Sequence, residues 1–388
     1  MPATRKPRIV IAGQVPPPYG GQNVMIARML HSFRADARLR CEHLAFRFTP
    51  DFKNVRRGSV AKVWESVMVI GRLFALRLRG PIDLLIFPAG GPQTVPIVRD
   101  ILLLPWVLIF AKKVVLQFHA AGIADRFAKR RGLLCALISA LYRRCFAAVV
   151  MTEFNRRDPE FFGLRRIEVI PHRLPDKFDP SVVRKASTHL GLLYVGHLCP
   201  NKGTPELLRA FKTLADREPD LVLELVGECL PPLSDEQLRA QIHSLGLAGR
   251  VKLPGVLTGH AKREAFGRAD LFVFPSVAPY ESFGLVLVEA MMWGLPIVAT
   301  DWRGNREVLG REFEGICHPI GEDLAESIAR ALAAAIETLR RKTEWTGRNR
   351  QLFLDRYRFD KTVNHYPEQV VRWLDGGAAA SGEKPTRD

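Results

Sequence analysis

The sequence has 388 residues, 47% of them hydrophobic, and its 57 Lys and Arg residues exceed its 40 Asp and Glu residues to give a formal net charge of +17. This length and apolar content suffice for a sizeable core and predict two or three domains. The longest uninterrupted apolar run, 101–111, has eleven residues and contains Pro105, which excludes a membrane-spanning helix there.

The excess of positive over negative charge is confined to the first half of the chain. Residues 1–180 hold 30 Lys and Arg against 13 Asp and Glu, whereas residues 181–388 hold 27 of each kind. This difference in net charge predicts that the two halves bind different partners.

The cysteines show no C-x-x-C pair and no metal-ligand spacing, which indicates buried free thiols in a reducing compartment. The N-terminus has no signal-peptide cleavage pattern. We therefore expect a cytoplasmic protein that is either soluble or bound to one membrane surface. The six cysteines are Cys41, Cys135, Cys145, Cys199, Cys229 and Cys317.

The first predicted elements are a strand over 8–13, a turn, and a helix over about 22–33. The turn, QVPPPYGG, ends in Gly20 and Gly21 at the mouth of the helix, where glycine lets the backbone approach a bound group closely. The pattern is not G-x-G-x-x-G, so it does not predict a dinucleotide site.

Apolar runs separated by helical stretches then recur at 83–87, 113–118, 147–152 and 168–171. This alternation predicts a doubly wound α/β domain with a parallel sheet. Ligands bind at the carboxyl ends of such strands, and His119 follows one of them.

Two segments of the first half, 62–79 and 126–144, are both basic and apolar. Helices that place Lys and Arg beside Trp, Phe and Leu can lie on anionic bilayers. The alternative is a pair of ordinary amphipathic helices packed on the sheet, with solvated arginines. Together with the charge of this half, the segments predict peripheral membrane contact. Nucleic acid would also suit the charge, but no binding motif accompanies it, and we expect none to bind.

A polar segment, 175–188, predicts the link to a second domain, which begins with GLLYVGHLCPNKG over 191–203. Lys202 in this stretch is a compact charge suited to phosphate. His197 is charged only when protonated, with an ordinary pKa of about 6.5. Either His197 is a weaker, pH-dependent phosphate ligand or another cation takes that role.

The stretch 271–300, LFVFPSVAPYESFGLVLVEAMMWGLPIVAT, predicts a strand, a loop, a helix and a second strand. Glu281 lies in the loop, and Glu289 lies inside an otherwise apolar helix, where an unpaired carboxylate would be costly. The N–H groups of the first helical turn would point at an anion between these two carboxylates.

The spacing Glu281-x7-Glu289 resembles the E-x7-E signature of retaining glycosyltransferases of family 4, which have the two-domain GT-B fold. The stretch GHLCPNKG resembles the family's G-R-L-x-x-x-K-G, with His197 in place of the arginine. The stretch DWRGNREVL resembles the family's glycine turn followed by Glu-Val, with Arg303 where a second glycine is frequent. The resemblance covers nearly the whole chain and is most specific over 191–309.

The resemblance implies an α/β fold of two Rossmann-like, doubly wound domains that face each other across a cleft. It implies an N-terminal acceptor-binding domain over 1–178 and a donor-binding domain over 186–355. A C-terminal helix over 356–375 would cross back to the first domain, and a disordered tail would cover 376–388.

The resemblance also implies a nucleotide-diphosphate sugar as the donor. Lys202 and His197 would hold the diphosphate, Glu281 the transferred sugar and Glu289 the ribose diol. The implied catalytic residues are His119, Glu281 and Lys202. The remaining implied donor contacts are Gly21, Ser282, Phe283, Gly284 and Leu285.

Transfer would retain the anomeric configuration, through a covalent intermediate or by same-face attack, without a cofactor or a metal. The basic, apolar first half suits a lipid-linked or growing saccharide acceptor in bacterial surface polysaccharide synthesis, at the inner face of the cytoplasmic membrane. A soluble acceptor is the alternative. Two other functions fit the sequence: a nucleotide-sugar 2-epimerase of related fold, and a non-catalytic basic protein that binds membrane surfaces.

Overall fold

The computed structural model describes residues 5–48, 60–129, 131–182, 188–310, 315–317, 323–341, 345–359 and 365–376. The chain divides into two compact units. The first comprises Met1–Ile170 and Asp360–Asp388, and the second comprises Pro171–Phe359. The tail predicted over 376–388 lies, from residue 377 on, outside the described residues.

The first unit is built on six strands whose alternate side chains pack on opposite faces. The strands are β1 (Arg8–Gly13), β2 (Arg40–Ala45), β3 (Ile82–Ala89), β4 (Ala111–Phe118), β5 (Ala147–Val150) and β6 (Ile167–Val169). They pair in parallel in the order β2-β1-β3-β4-β5-β6. The helices between them are α1 (Gly21–Ala35), α2 (Val60–Leu78), α3 (Thr94–Phe110), α4 (Ile123–Lys129), α5 (Leu133–Tyr142) and α6 (Arg157–Phe161).

The second unit repeats this plan with a second six-stranded parallel sheet. Its strands are β7 (Leu190–Val195), β8 (Leu221–Val226), β9 (Val251–Gly255), β10 (Leu271–Phe274), β11 (Ile297–Thr300) and β12 (Ile316–Cys317). Their order is β12-β11-β10-β7-β8-β9. Its helices are α7 (Thr204–Ala215), α8 (Asp235–Ser244), α9 (Gly259–Gly267), α10 (Leu285–Met292), α11 (Asn305–Leu309), α12 (Leu324–Arg340) and α13 (Trp345–Leu352).

The last helix, α14 (His365–Leu374), belongs to the first unit. Its Val370 and Trp373 pack with α1 on the sheet face that Ile9 and Ile11 line. Val10 and Ala12 point to the opposite face, which α2, α3 and α5 cover. Because both faces of the sheet are covered, its interior strands β1, β3, β4 and β5 are largely apolar, whereas the edge strand β2 carries Arg40, Glu42 and His43. The predicted doubly wound architecture is confirmed.

The unit boundaries differ in detail from the sequence-based ones. The first boundary falls after Ile170, ahead of the predicted residue 178. Asp176 accepts hydrogen bonds from Arg350, and the Phe178 ring contacts Trp293, so this segment is held by the second unit. The second boundary falls after Phe359, because that residue and Arg358 pair with Leu174 instead of beginning the last helix.

None of the described helices combines the length and apolar character that crossing a membrane requires.

Candidate active site

The candidate site is built around the loop that joins β10 to α10. All four residues of β10 are buried, and the strand pairs with β7 on one side and β11 on the other. The loop therefore leaves the sheet at the carboxyl end of an interior strand, where α/β proteins bind ligands.

Gly284 turns this loop into α10. Its φ of 65° lies in the left-handed region, and a Cβ atom there would approach the Leu287 side chain to 2.9 Å. The helix then begins at Leu285. Since the first turn of an α-helix leaves N–H groups without intrahelical acceptors, its end carries a positive potential.

Glu281 lies just ahead of this turn and is buried. Its Oε2 atom accepts hydrogen bonds from Lys202 Nζ at 2.5 Å and from Ser276 Oγ at 2.7 Å. Both of these hydrogen bonds are made to Oε2. Because each carboxylate oxygen carries two lone pairs, the second oxygen, Oε1, can accept a hydrogen bond from a ligand hydroxyl.

Lys202 reaches Glu281 because of the turn that follows β7. A short 3₁₀ turn over Pro200–Lys202 ends at Gly203, whose φ is 72°. A Cβ atom on Gly203 would come within 2.3 Å of the Pro275 carbonyl oxygen. Only glycine lets the two loops approach this closely, and that approach sets the lysine against the carboxylate.

The charge of Lys202 is stabilised where it lies. Burial is the largest single effect and disfavours the ammonium form, but Glu281, together with smaller contributions from Tyr280 and Cys199, outweighs it and raises the pKa of Lys202 above its ordinary value. The ammonium also lies 5.6 Å from the ring centroids of Phe274 and Tyr280. Lys202 is therefore a permanent cation at the edge of the loop.

Glu289 has a partner that the sequence did not indicate. Lys262 on α9 donates to both carboxylate oxygens of Glu289, at 2.9 and 2.7 Å. Both side chains remain partly exposed. The ion pair explains how a carboxylate is accommodated on a helix whose other residues are apolar.

His197 follows β7 and is neutral in the unliganded protein at neutral pH. Burial and, to a smaller extent, the charge of Lys202 lower the pKa of His197 to about 4, against the opposing effect of Glu281. Tyr194 donates a hydrogen bond to the His197 carbonyl oxygen at 2.7 Å, which fixes the backbone there. The imidazole lies close enough for the charges of Lys202 and Glu281 to affect its pKa.

Ser282 and Phe283 are buried in the same loop, and Leu285 begins the helix. The Phe283 ring packs edge-on against His172 and Tyr357, with centroid distances of 5.3 and 5.9 Å. These contacts hold the segment in which Glu281 lies.

Gly21 and His119, the two remaining predicted site residues, lie in the first unit. Gly21 begins α1, and the Asn23 side chain donates to the Pro18 carbonyl oxygen at 2.9 Å, which ties the preceding loop to the helix. His119 follows β4. Burial, with a smaller contribution from the charge of Arg99, lowers the pKa of His119 to about 3, so its imidazole is neutral at physiological pH.

Asp100 is a buried residue of α3 to which the sequence assigned no role. Its carboxylate accepts hydrogen bonds from the Gly90 amide and the Tyr142 hydroxyl, both at 2.6 Å, and pairs with Arg99. These contacts fix the glycine loop after β3.

Arg303 occupies the position where the family often has glycine. Its φ is 51°, and among the described residues it is the non-glycine residue with positive φ. The neighbouring Trp302 donates its indole N–H to the Ala278 carbonyl oxygen at 2.8 Å. The loop after β11 is thereby tied to the loop that carries Glu281.

In the described part of the chain, no group of three or more His, Cys, Asp and Glu side chains is arranged to hold a metal ion.

A family model described as Glycosyl transferases group 1 matches residues 176–350. The phosphatidyl-myo-inositol mannosyltransferase of Mycobacterium leprae is 36% identical over 285 residues, which cover 72% of this chain and 71% of that protein. The gpi3 subunit of the phosphatidylinositol N-acetylglucosaminyltransferase of Schizosaccharomyces pombe is 27% identical over 212 residues, or 54% of this chain and 41% of that protein. The match to this gpi3 subunit and the matches to two further curated relatives each span about a third to two-fifths of the relative's own length.

Among solved structures, sucrose-phosphate synthase from Thermosynechococcus elongatus superposes with a TM-score of 0.72 at 17% identity, over 95% of this chain and 99% of that one. This similarity shows the two-domain GT-B fold. Together with the family model and the identity and coverage of the M. leprae relative, it leads to one conclusion: the chain belongs to the group 1 family of glycosyl transferases.

Proposed function

We propose that this chain is a retaining glycosyltransferase that moves a sugar from a nucleotide-diphosphate sugar to a lipid-linked or growing saccharide acceptor in bacterial surface polysaccharide synthesis. The observation that carries the proposal is the cluster of Lys202, Glu281 and Ser276 at the mouth of α10. It combines a fixed cation, a helix N-terminus and an oriented carboxylate. The cation and the helix N-terminus suit a diphosphate, and the carboxylate suits a sugar hydroxyl.

In the proposed reaction, the second unit binds the donor. Lys202 and the first amides of α10 stabilise negative charge on the departing nucleotide diphosphate. Glu281 accepts a hydrogen bond from the transferred sugar through Oε1. Because these groups already supply the positive charge, we propose that transfer requires no metal.

The other donor contacts surround this centre. Glu289 accepts hydrogen bonds from the ribose diol, in addition to those from Lys262. Neutral His197 donates a hydrogen bond to the diphosphate, and binding of the diphosphate would favour its protonation. Further proposed donor contacts come from Gly21, Ser282, Phe283, Gly284 and Leu285.

The first unit would bind the acceptor. His119, as a neutral imidazole, can donate one hydrogen bond and accept another at the reacting sugar. A lipid-linked acceptor agrees with the names of two relatives, a phosphatidylinositol N-acetylglucosaminyltransferase subunit and a phosphatidyl-myo-inositol mannosyltransferase. The enzyme would then work at the inner face of the cytoplasmic membrane, in peripheral contact with anionic lipid.

The first experiment measures the melting temperature of the full chain with UDP, GDP, ADP and their sugars. A ligand that binds the native state alone raises the melting temperature, so one nucleotide series is expected to stabilise the protein selectively. The stabilising donor, radiolabelled in its sugar, is then used to measure transfer to a bacterial lipid extract.

Glu281→Gln keeps the side-chain volume and removes the charge, and we expect it to lower transfer by about a hundredfold or more. The control is Glu236→Gln, an exposed residue in the first turn of α8, which should transfer at the wild-type rate. Full transfer by Glu281→Gln would refute the proposed role of the cluster.

A further inference from the structure

Three helices of the first unit, α2, α3 and α5, lie side by side on one face of its sheet. Their buried side chains, among them Leu73, Leu103 and Ile138, pack into one core cluster with the strands. Because one side of each helix is packed on the sheet, the opposite sides all face away from it.

The outward sides of these helices are apolar. Leu78 is 72% exposed, Ile109 is 70% exposed and Leu133 is 77% exposed. An exposed apolar surface that continues over several elements marks an interaction site. We call it the three-helix face and define it by Trp64, Phe74, Leu102, Trp106, Ile109 and Leu133.

Aromatic contacts make the face continuous between α2 and α3. The Phe110 ring centroid lies 6.0 Å from that of Phe74 and 6.4 Å from that of Trp106. The sequence indicated membrane contact at 62–79 and 126–144 but not at α3, which the structure places between α2 and α5.

The face carries no negative charge on its outward side. The only carboxylates of the three helices are Glu65 and Asp100. Both are buried, and each pairs with an arginine at 2.6 Å.

Exposed basic side chains, in contrast, stand at or next to the helix ends. They are Arg77 near the end of α2 and Arg79 just after it, Lys129 at the end of the neighbouring α4, Arg131 shortly before α5, and Arg143 and Arg144 just after α5. Apolar side chains bordered by cations complement a bilayer whose headgroups are anionic and whose interior is apolar.

We propose that the three-helix face docks on the interface of an anionic lipid bilayer. Trp64 and Trp106 would lie at the boundary between headgroups and acyl chains, and the basic residues would contact lipid phosphates. This deepens the proposed function, because it locates the membrane contact of an enzyme whose proposed acceptor is lipid-linked. The observations that define the three-helix face do not involve the residues proposed to bind the donor.

A second copy of this chain is a less suitable occupant. Residues 1–180 carry a net charge of +17, so pairing two such surfaces would bring like charges together. An anionic bilayer satisfies both the apolar surface and the positive charge.

The test is cosedimentation of the full-length protein with lipid vesicles. Wild-type protein should bind vesicles of phosphatidylcholine and phosphatidylglycerol, should not bind phosphatidylcholine alone, and should bind more weakly as salt is raised. The double variant Trp64→Ser/Trp106→Ser removes two exposed side chains, so the fold should be preserved. We expect its vesicle affinity to fall about tenfold or more.

Matched controls separate the apolar and the charged contributions. Val256→Ser removes a side chain of comparable exposure, 58%, from the second unit and should bind as wild type does. Arg143→Glu/Arg144→Glu should weaken binding to anionic vesicles, whereas Arg239→Glu on the exposed side of α8 should not.

Unchanged binding by the tryptophan variant, or no binding of wild type to anionic vesicles, would overturn the proposal. So would a concentration-dependent dimer in sedimentation velocity that the tryptophan variant abolishes, because the face would then be a subunit interface. The nucleotide-dependent rise in melting temperature should survive in the tryptophan variant. Specific vesicle binding without any sugar transfer would support the face and refute only the proposed reaction.

Discussion

At the scale of single residues, the ion pair between Lys262 and Glu289 bears directly on the proposed binding of the donor. The lysine donates to both carboxylate oxygens and so fixes the orientation of the carboxylate. A carboxylate has about four lone-pair sites, so two remain for a ribose diol. Lys262 is therefore a positioning residue for the proposed ribose contact.

Replacing Lys262 by methionine keeps the length of the side chain and removes its charge. We expect KM for the donor to rise about tenfold with little change in kcat, because a misoriented Glu289 weakens ground-state and transition-state binding equally. Steady-state kinetics with varied donor would measure both constants. Lys212→Met, which removes a partly exposed lysine of α7 that pairs with Asp216, is the matched control. An unchanged KM would remove Lys262 from the site.

The lowered pKa of His197 leads to a prediction about how the stability of the folded protein depends on pH. In the unfolded chain its pKa is about 6.5, and in the folded protein it is lowered to about 4, first by burial and then by Lys202. Between these values the unfolded state binds more protons, so falling pH destabilises the folded state in this window. The contribution of His197 is on the order of 3 kcal/mol.

We therefore expect His197→Gln to lose less stability than wild type when the pH falls from 7 to 5. Urea denaturation at both pH values gives the two free energies of unfolding. His243→Gln, on the exposed side of α8, should behave as wild type does. If both variants lose as much stability as wild type, the imidazole is not held neutral by its surroundings.

At the scale of elements, glycines decide how closely the loops of the second unit approach. Gly203 and Gly246 both have φ near 70°, at 72° and 69°. A Cβ atom on Gly203 would meet the Pro275 carbonyl oxygen at 2.3 Å, whereas one on Gly246 would meet nothing within 4 Å. The two positions share the same backbone strain and differ in the contact.

Gly246→Ala is expected to cost about 1 kcal/mol, the ordinary penalty of an L-residue in the left-handed region. Gly203→Ala should cost at least about 2 kcal/mol more, because backbone must move to accommodate the methyl group. It should also lower transfer, since Lys202 would be displaced from Glu281. Denaturation curves and transfer rates of both variants test this. Equal losses of stability would show that the approach of the two loops is not tight.

The loop after β11 illustrates the same constraint with a different residue. Arg303 adopts a φ of 51° at a position where the resemblance leads one to expect glycine. A positive φ is the backbone conformation that glycine adopts most readily, although the side chain here is large. The sequence could not show whether the arginine changed the loop, because φ depends on the contacts that hold the chain.

At the scale of the whole molecule, the two units divide charge as well as structure. The excess of positive charge lies in residues 1–180, and the exposed apolar side chains of α2, α3 and α5 lie in the same part of the chain. The Lys202–Glu281 and Lys262–Glu289 pairs lie in residues 181–388, which are neutral overall. Binding to anionic vesicles and binding of nucleotides should therefore respond separately to substitutions in the two parts.

The sequence by itself determined the parallel α/β architecture, because continuous apolar strands alternating with helices are a local pattern. It also identified Glu281, Glu289 and Lys202 as candidates, through their spacing and the glycines beside them. Tertiary structure alone decided that Ser276 and Lys202 share one oxygen of Glu281, and that Lys262, 27 residues away along the chain, pairs with Glu289. It also decided which side of α3 is exposed, because a helix that is apolar all round gives no periodic signal. Only packing on the sheet buries Leu103 and leaves Trp106 outside.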